Sequence, residues 1–572
     1  MPESTTNLSF YKRFRFEFLA LGGYLALTCV YAHRVLAHFG SHIAGHGGDG
    51  WQNIWNMWWF KHALASWQSP YFTDMLHHPS GITLLFHTLN PFNCALSLPF
   101  DLIFGQPVAY NIVFIFSFVA SGFTMYLLVK ELYTNRAAAF IAGCIFTFSH
   151  FHFAHAQGHL QLTAMEWLPL FLYYLVRVWR TRKLRDGILM GVCLTLTTFC
   201  AIYYFMAGLL IAFLAGLYKL ISDRKRVFEK KLLLGIGSGV VVFLVTGGVL
   251  LIAMLINYLN LEMLPAHDSI YWSTDLQAFF IPPWVSAYGA AFDGIWSKWT
   301  GNSAECNQYL GYSVIALGVM AFVLMKKGSR PWAWAGLMLI GMLLSLGPVL
   351  HWGGKTITNI PLPYGLFEFI FPFLKMSGAP VRWHIITLIA SCILAGAGLS
   401  VILARVKERK LGKLSLGLVT AIICGIIPML ELLPQWVESR ELLYNDFIEE
   451  MRATPGDWVV YDLGDANYSL LRQTGHRHKM IGGYVSRSTR QAESFLKKTP
   501  LLRALRGQAR WEPARISQAA AELGLKFVIL PHNHRARRYL EIQGLNLRWS
   551  QWGLEVWEIP MQAAAESQGD EN

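Results

Sequence analysis

Long runs of apolar residues alternate with short polar segments over roughly the first three quarters of the chain. A membrane-spanning helix needs about 20 consecutive apolar residues, and many of these runs reach or approach that length. Lys and Arg collect in six of the polar segments, and such clusters mark the cytoplasmic side of a membrane protein. The pattern predicts an all-α polytopic membrane domain over residues 1–433, with these segments in the cytoplasm: Lys12–Arg15, Lys130–Arg136, Arg177–Arg185, Lys219–Lys231, Lys326–Arg330 and Arg405–Lys413.

Two neighbouring cytoplasmic segments must enclose an even number of crossings, which gives about eleven transmembrane helices, with the N-terminus inside and the C-terminus outside. The run Gly187–Leu217 has basic segments at both ends, so we predict two short helices that turn near Tyr203 and Tyr204. The run Leu362–Leu374 is short and contains Glu368, which predicts a re-entrant or interfacial segment. The predicted exterior loops cover residues 39–106, 150–164, 257–310 and 351–382.

The chain changes character from about Pro434 onward, where charges are dispersed and apolar runs become short. We predict a small exterior α/β domain over residues 434–560 and a disordered tail over the polar residues 561–572. The predicted strands are Trp458–Leu463, Lys479–Tyr484, Phe527–Leu530 and Leu554–Ile559, and the predicted helix is Ile516–Leu523.

Composition supports a membrane protein, since 54% of the residues are hydrophobic, 15% are charged and the mean hydropathy is +0.36. The formal net charge is +13. Its cations lie between apolar runs, where membrane orientation explains them, so we expect a lipid bilayer and no nucleic acid as partner. Only Cys94 and Cys306 lie outside the apolar runs. The sequence therefore allows at most one exterior disulfide and leaves its formation open.

The first exterior loop carries Asp49 in a glycine-rich segment directly before an aromatic stretch. Trp51, Trp55 and Trp58 recur at helical spacing, which is typical of a helix in the membrane interface. Asp49 is interpreted as the N-cap of that helix or as the base of a transferase. The two interpretations are compatible, because the amide dipoles at a helix N-terminus keep a carboxylate ionised.

The second exterior loop contains four histidines within residues 150–159, followed by Glu166. Imidazole is a common zinc ligand, but His155 and His159 form an i, i+4 pair only in a helix, which Gly158 opposes. We therefore favour the polar lining of a hydrophilic cavity over a metal site. Glu166 lies at the start of a span, where it is either functional or a solvated carboxylate in the first helical turn.

The later exterior loops contribute Asp275, Glu305 and two cations, Lys375 and Arg382, at the exterior membrane boundary. Lys375 and Arg382 either snorkel toward water or hold a phosphate, to which Arg offers a fork of donors and Lys a point charge. Asp275 and Glu305 are carboxylates within otherwise weak sequence patterns.

Several familiar motifs are missing from the sequence. It contains no phosphate-binding Gly-x4-Gly-Lys-Ser/Thr loop, no His-Glu-x-x-His and no Gly-x-Ser-x-Gly, so ATP-driven transport and the commonest hydrolases lose support. Gly235 and Gly239 lie within a predicted span and are interpreted as helix-packing positions.

In their order and loop lengths, a series of segments resembles the bacterial multispanning glycosyltransferases of the GT-C superfamily, particularly the YfhO-like membrane proteins. These segments are Gly48–Asn53, Tyr71–Asp74, His78–Gly81, Gly158–Pro169, Tyr309–Gly311 and Pro380–Arg382. The resemblance implies a GT-C-like fold, a polyprenyl-phosphate-linked sugar donor, inversion at the anomeric carbon and an acidic catalytic base in the first loop. Only Asp49 matches that base. The acceptor is expected outside the cytoplasmic membrane.

From their positions we predict Glu166 as a second catalytic acid and eight substrate-binding residues. No Asp-x-Asp pair like that of metal-dependent relatives is found, so we favour a reaction without a metal or another cofactor and leave a divalent metal open as the alternative. The predicted substrate-binding residues are His155, His159, Trp51, Gln52, Asp275, Glu305, Lys375 and Arg382.

Two other functions stay open. A flippase or transporter of lipid-linked sugars needs polar groups deep inside the spans, whereas the ionisable residues here gather at their exterior ends. A non-catalytic envelope-assembly protein would tolerate substitutions of Asp49 but not loss of the C-terminal domain.

Overall fold

The computed structural model describes residues 4–265, 267–406, 408–411, 414–509, 513–542 and 545–559. The chain divides into two compact units, and neither is continuous in sequence. The helical unit comprises residues 1–46, 90–252 and 267–440, and the α/β unit comprises residues 47–89, 253–266 and 441–572. The middle of the first predicted exterior loop, residues 47–89, thus belongs to the same unit as the C-terminal domain. The predicted disordered tail lies outside the described residues.

The helical unit consists of helices joined by short connections and by longer loops. Its helices are Ser4–Tyr31, His33–Ala37, Pro91–Phe104, Gln106–Tyr133, Arg136–Thr147, His150–Ala156, Leu160–Thr163, Trp167–Thr181, Leu184–Cys200, Ile202–Ser222, Arg224–Val227, Lys230–Val245, Gly247–Asn260, Asp293–Trp296, Tyr312–Leu324, Trp332–Ser345, Pro363–Ile370, Leu374–Ser377, His384–Val406 and Leu416–Glu431. The boundary between the units falls within Gly247–Asn260. Short strands occur at His42–Ala44, Val349–Trp352, Lys355–Pro361, Lys410–Leu411, Leu414–Ser415 and Ser439–Glu441.

Four helices among the described residues are long and apolar enough to cross a membrane, and the number rises to six if each of two bent helix pairs is one span. Four further apolar helices are shorter. The described residues therefore include helices of membrane-spanning length but do not confirm eleven crossings, because breaks and short helices interrupt the apolar runs. The four long helices are Phe14–Tyr31, Gln106–Tyr133, Ile202–Ser222 and Pro380–Val406.

Two predictions about apolar runs can be compared with the helices directly. The run Gly187–Leu217 forms two helices that meet at Ala201, where the backbone is extended, two residues before the predicted turn. The run Leu362–Leu374 contains the short helix Pro363–Ile370, in which Leu366 and Phe369 are 63% and 80% exposed. The assignment of this run as a re-entrant or interfacial segment stays a prediction.

Glycines allow two apolar helices of the helical unit to approach closely, as predicted for Gly235 and Gly239. A Cβ atom on Gly187 would lie 1.8 Å from the carbonyl oxygen of Gly235, and one on Gly191 would lie 2.2 Å from that of Gly239. Such distances are far below van der Waals contact. The helices Leu184–Cys200 and Lys230–Val245 therefore pack backbone to backbone.

Gly187→Ala is expected to lower the thermal stability of the detergent-solubilised protein, with a loss of about 1–3 kcal/mol, because the methyl group forces these helices apart. Gly216→Ala is the matched control, since that helical glycine has open space around its Cβ position. The control is expected to be neutral or slightly stabilising, because alanine favours helix. Equal melting temperatures for the two variants would contradict the packing argument.

The α/β unit contains a five-stranded sheet in the order Lys479–Met480, Val459–Asp462, Leu525–Pro531, Leu554–Glu558, Asn546–Gln551. The first three strands are parallel and the last two join antiparallel. All four predicted strands overlap strands of this sheet, and the predicted helix overlaps Pro513–Glu522. The remaining helices are Asp49–Ala65, Asp446–Ala453, Ala466–His476, Arg490–Lys498, Pro500–Leu505 and Arg537–Ile542, and a small hairpin pairs Phe72–Thr73 with Ile82–Thr83.

The aromatic helix Asp49–Ala65 forms part of the core on one face of this sheet. Trp55 and Trp59 are fully buried there, together with Phe527 and Val556 from the strands. Trp55 Nε1 donates to Gln473 Oε1 over 2.7 Å. The prediction of a helix in the membrane interface was therefore wrong, because its indole rings are covered by the C-terminal domain.

All eight cysteines are free, and Cys94 and Cys306 are both buried. The exterior disulfide that the sequence left open is not formed.

Candidate functional site

A buried ion pair between Arg382 and Glu305 forms the centre of a polar cluster in the helical unit. Arg382 Nη2 donates to Glu305 Oε1 over 2.6 Å, and the two side chains are 6% and 4% exposed. Arg382 lies in the 3-10 turn Pro380–Trp383, directly before the apolar helix His384–Val406. Glu305 lies in the loop before the helix Tyr312–Leu324. Two segments that were predicted to face the exterior thus meet at one point.

Local backbone structure holds both charged residues in place. Pro380 begins the turn, where its ring fixes φ, and the N–H of Val381 donates to the carbonyl oxygen of Trp272 over 3.1 Å. The N–H of Glu305 donates to the carbonyl oxygen of Asn302 over 3.1 Å. The guanidinium and the carboxylate are therefore positioned by backbone hydrogen bonds as well as by each other.

Two aromatic rings accompany the Arg382 guanidinium. Its Cζ atom lies 4.7 Å from the ring centroid of Tyr203 and 5.5 Å from that of Trp272. Aromatic faces attract a cation and shield it from water. Sequence reasoning identified Tyr203 only as a turn position and missed Trp272, because no local pattern links either residue to Arg382.

His155 and His159 complete this cluster. Their Nδ1 atoms lie 3.1 Å apart, so one ring donates a proton and the other accepts it. His159 Nδ1 lies 4.0 Å from Glu305 Oε1. The helix His150–Ala156 ends before Gly158, as that glycine predicts, and the N–H of His159 then donates to the carbonyl oxygen of His155 over 2.7 Å. A turn, and not a continuous helix, brings the two rings together.

The charge state of Glu305 follows from its neighbours. Burial raises the pKa of Glu305, but Arg382, His155 and His159 lower it by more, so the pKa lies well below its ordinary range. The carboxylate is therefore ionised at neutral pH. Its Oε2 atom is buried and has no hydrogen-bond partner among the described residues. An ionised oxygen without a partner is costly, and it is a position that a donor group of a ligand can occupy.

The same residues offer ligands of the type that a divalent metal uses. Ligand atoms of His155, His159 and Glu305 all lie within 4.8 Å of one another. Two imidazoles and a carboxylate suit zinc or manganese. The cluster already contains a cation, however, since Arg382 pairs with Glu305 and the two imidazoles are hydrogen-bonded to each other. The residues fit a metal without requiring one.

Glu166 is buried in the helical unit and is 1% exposed. Neither of its carboxylate oxygens has a hydrogen-bond partner among the described residues. The interpretation as a solvated carboxylate in the first turn of Trp167–Thr181 was therefore wrong.

Asp49 lies in the α/β unit, as the first residue of the helix Asp49–Ala65. The N-cap is Gly48, so the prediction of Asp49 as the N-cap was wrong by one residue. Gly47 and Gly48 have φ angles of +83° and +53°, and a Cβ atom on Gly47 would lie 2.6 Å from Trp51 Nε1. The glycines thus permit the sharp turn that places the Asp49 carboxylate at a helix N-terminus, where the dipole favours its ionised form.

The two neighbours of Asp49 that were predicted to bind substrate are both buried. Trp51 is 1% exposed, and its ring centroid lies 5.4 Å from that of Tyr468. Gln52 is also 1% exposed, and its side-chain nitrogen lies 3.3 Å from Ser486 Oγ and contacts Thr88 Oγ1. The amide of Gln52 is therefore engaged by the protein itself.

A neutral histidine supports this region of the α/β unit. Burial lowers the pKa of His87 to about 3, while Asp49 opposes the shift and Arg487 adds to it. His87 Nδ1 accepts from the N–H of Ser486 over 3.0 Å, so Nε2 carries the proton and donates to Asn56 Oδ1 over 3.0 Å. No sequence signal linked His87 to Ser486, because the contact joins distant segments.

The remaining predicted site residues lie in the helical unit outside the cluster. Asp275 is fully buried, and its Oδ1 atom accepts from the backbone N–H groups of Gln277 and Gly353 over 3.0 and 3.2 Å. Its carboxylate is thus used to cap a 3-10 helix and to hold a hairpin. Lys375 is exposed, and its role in phosphate binding stays a prediction.

A family model described as a domain of unknown function, DUF6311, matches residues 20–428. The curated proteins include no significant match to the sequence.

Among solved structures, the arabinofuranosyltransferase AftD from Mycobacteria is similar with a TM-score of 0.58 and 14% identity, over 96% of this chain and 40% of that one. The Archaeoglobus fulgidus oligosaccharyltransferase AglB, in complex with an inhibitory peptide and a dolichol-phosphate, is similar with a TM-score of 0.53 and 13% identity. That match covers 96% of this chain and 75% of AglB. At these identities the similarity shows the fold, and it confirms the GT-C-like architecture. It does not confirm the narrower resemblance to YfhO-like proteins.

Proposed function

The chain belongs to the DUF6311 family, and from that premise and its GT-C-like fold we propose that it is a glycosyltransferase. The proposed reaction transfers one sugar from a polyprenyl-phosphate-linked donor to an acceptor outside the cytoplasm, with inversion at the anomeric carbon. The fold similarity to two glycosyltransferases supports the reaction class. The donor sugar and the acceptor are left open.

The observation that carries this proposal is the buried Arg382, which pairs with Glu305 at 2.6 Å directly before a long apolar helix. Leaving polyprenyl phosphate carries growing negative charge, and a preorganised cation in a site that excludes water stabilises such charge strongly. A lipid-linked donor also explains why the cation precedes the helical segment Pro380–Val406, which has membrane-spanning length. Glu305 and the aromatic rings of Tyr203 and Trp272 would hold the guanidinium in position before the donor arrives.

In the proposed reaction Asp49 takes the proton from an acceptor hydroxyl. The hydroxyl oxygen bonds to the anomeric carbon while the bond from that carbon to the phosphate oxygen breaks, and polyprenyl phosphate leaves with the electron pair. Arg382 holds the phosphate. His155, His159 and the open Oε2 atom of Glu305 bind sugar hydroxyls, and Asp49 later releases its proton to water. Each group acts by a hydrogen bond or a proton transfer.

The reaction is tested with the full-length protein in lipid nanodiscs. The protein is incubated with a panel of radiolabelled polyprenyl-phosphate sugars and a cell-envelope fraction as acceptor source, and both released polyprenyl phosphate and label in the acceptor are measured. Release with transfer from one donor supports the proposal. Movement of donor across a liposome membrane without release would instead support a flippase, in which the buried Glu166 would be the group to examine first.

Transfer is expected to be insensitive to chelator, because Arg382 supplies the positive charge at Glu305 that a metal would otherwise supply. The measurement compares turnover with and without EDTA, and with zinc or manganese added back. A loss of turnover that one metal restores would show that His155, His159 and Glu305 hold a catalytic metal, since a Lewis acid there would polarise the phosphate oxygens.

A further inference from the structure

Asn467 contacts the predicted catalytic base from the C-terminal part of the chain. Its Nδ2 atom donates to Asp49 Oδ1 over 3.0 Å, and both residues belong to the α/β unit. A hydrogen bond to an ionised carboxylate is among the stronger ones in proteins. Nothing in the sequence pairs these residues, which lie in the first loop and in the C-terminal domain.

The backbone holds Asn467 firmly in place. It is the second residue of the helix Ala466–His476, whose N-cap is Asp465. Asp465 Oδ1 accepts from the backbone N–H groups of both Asn467 and Tyr468, each over 3.0 Å. Such a cap fixes the backbone of the first helical turn, from which the Asn467 side chain reaches Asp49.

The orientation of the Asn467 amide follows from chemistry. An ionised carboxylate only accepts hydrogen bonds, so the NH₂ group must face Asp49 and the amide oxygen must face away. That oxygen is buried and has no hydrogen-bond partner among the described residues, and the same holds for the Nε1 donor of Trp51. The Trp51 ring packs against Tyr468, the residue that follows Asn467. An unused acceptor and an unused donor thus accompany the carboxylate.

We propose that Asn467 is a positioning residue for Asp49 and that its amide oxygen, together with Trp51 Nε1, binds a second hydroxyl group of the acceptor. A hydroxyl suits either atom, because it can donate to the amide oxygen and accept from the indole N–H. The acceptor class is therefore a polyhydroxylated molecule such as a glycan. This inference rests on the proposed function, in which Asp49 takes a proton from the reacting hydroxyl. Asn467 itself changes neither charge nor protonation.

The first test compares Asn467→Ala and Asn467→Asp with wild type in the nanodisc assay over a range of pH. Asn467→Ala is expected to lower kcat/KM about 10- to 100-fold, the loss that accompanies a missing hydrogen bond to a charged group. The acidic limb of its pH profile is expected at higher pH, because the carboxylate has lost a donor. Asn467→Asp keeps an acceptor oxygen but places a second carboxylate beside Asp49. The acidic limb of its pH profile is therefore expected at a still higher pH than that of Asn467→Ala.

Asn546→Ala is the matched control, since Asn546 is an exposed asparagine on a strand of the same unit. It is expected to match wild type in rate and pH profile. A wild-type rate and an unshifted acidic limb in Asn467→Ala would overturn the inference. If Asp49→Asn is inactive in the same experiment, the proposed function survives that result.

The second test does not need turnover. Thermal unfolding is measured for Asp49→Ala, Asn467→Ala and the double variant, and the two single effects are expected to be non-additive because the side chains interact directly. Additive effects would overturn the inference. If the wild-type protein turns over no donor, the proposed function and the acceptor role fail, and this cycle alone decides whether Asn467 holds Asp49.

Discussion

Asp49→Asn is expected to lower kcat for sugar transfer by about 10²- to 10⁴-fold, the usual contribution of a general base. Asparagine keeps the size and the hydrogen-bonding geometry of aspartate at the first turn of the helix, but its amide cannot take a proton. The fold should be retained, because the amide oxygen of the new asparagine can still accept the hydrogen bond from Asn467. The measurement is the initial rate with the donor that wild type accepts, at saturating concentrations of donor and acceptor.

Asp446→Asn is the control for this variant. Asp446 is an exposed acid in the first turn of another helix of the same unit, where Gln551 donates to it over 2.9 Å. Its substitution should leave the rate unchanged. Wild-type turnover in a folded Asp49→Asn protein would exclude Asp49 as the base.

Arg382→Gln is expected both to slow transfer and to destabilise the helical unit. The lost cation should cost about 10²- to 10³-fold in kcat, because charge on the leaving phosphate is no longer stabilised. Glu305 would be left ionised and buried without its partner, a loss of about 3–5 kcal/mol in other buried pairs. Arg34→Gln is the control, since Arg34 pairs with Glu438 at 3.2 Å but both side chains are nearly half exposed. Exposed pairs contribute about 0–1 kcal/mol.

The pH dependence of unfolding separates these two effects. In wild type the folded pKa of Glu305 is below its unfolded value, so the stabilisation is present above pH of about 4.5 and is lost as the pH falls. In Arg382→Gln the cation that opposes the effect of burial is missing, so the folded pKa of Glu305 rises. Protonation of Glu305 then removes the cost of a buried, unpaired negative charge. The variant should therefore gain thermal stability between pH 7 and pH 5, whereas wild type should not.

The double variant Arg382→Gln with Glu305→Gln should recover stability without recovering activity, because no buried charge remains but no cation meets the phosphate. Recovery of both would show that Arg382 has a structural role only. A melting temperature of Arg382→Gln that equals wild type at pH 7 would contradict the buried ion pair itself.

Sequence reasoning predicted many residues of the candidate site one by one, but it did not predict which of them contact each other. His155, His159, Glu305 and Arg382 were each predicted from loop position, and the structure brings these four together. Trp272 and Asn467 were not predicted, because a tryptophan in a loop and an asparagine near a helix start are common and acquire a role only through distant contacts. Asp275 was predicted to bind substrate, but its carboxylate accepts hydrogen bonds from the backbone N–H groups of Gln277 and Gly353.

The aromatic helix shows why such errors arise. Trp51, Trp55 and Trp58 at helical spacing suit a membrane interface and a protein core equally well, since both offer an apolar surface with polar groups at its border. Only the contact of Trp55 with Gln473 and with the sheet decides for the core.

The sequence by itself determined the class of this protein. The features that indicate this class are local properties: apolar runs of spanning length, basic segments between them and the change of composition near Pro434. Local properties can be recognised in the sequence without knowledge of the fold. Only the tertiary structure decided that residues 47–89 belong with the C-terminal domain, that Arg382 pairs with Glu305 and that Asn467 donates a hydrogen bond to Asp49. Each of these depends on contacts between segments far apart in the chain, and such contacts are set by how the whole chain packs.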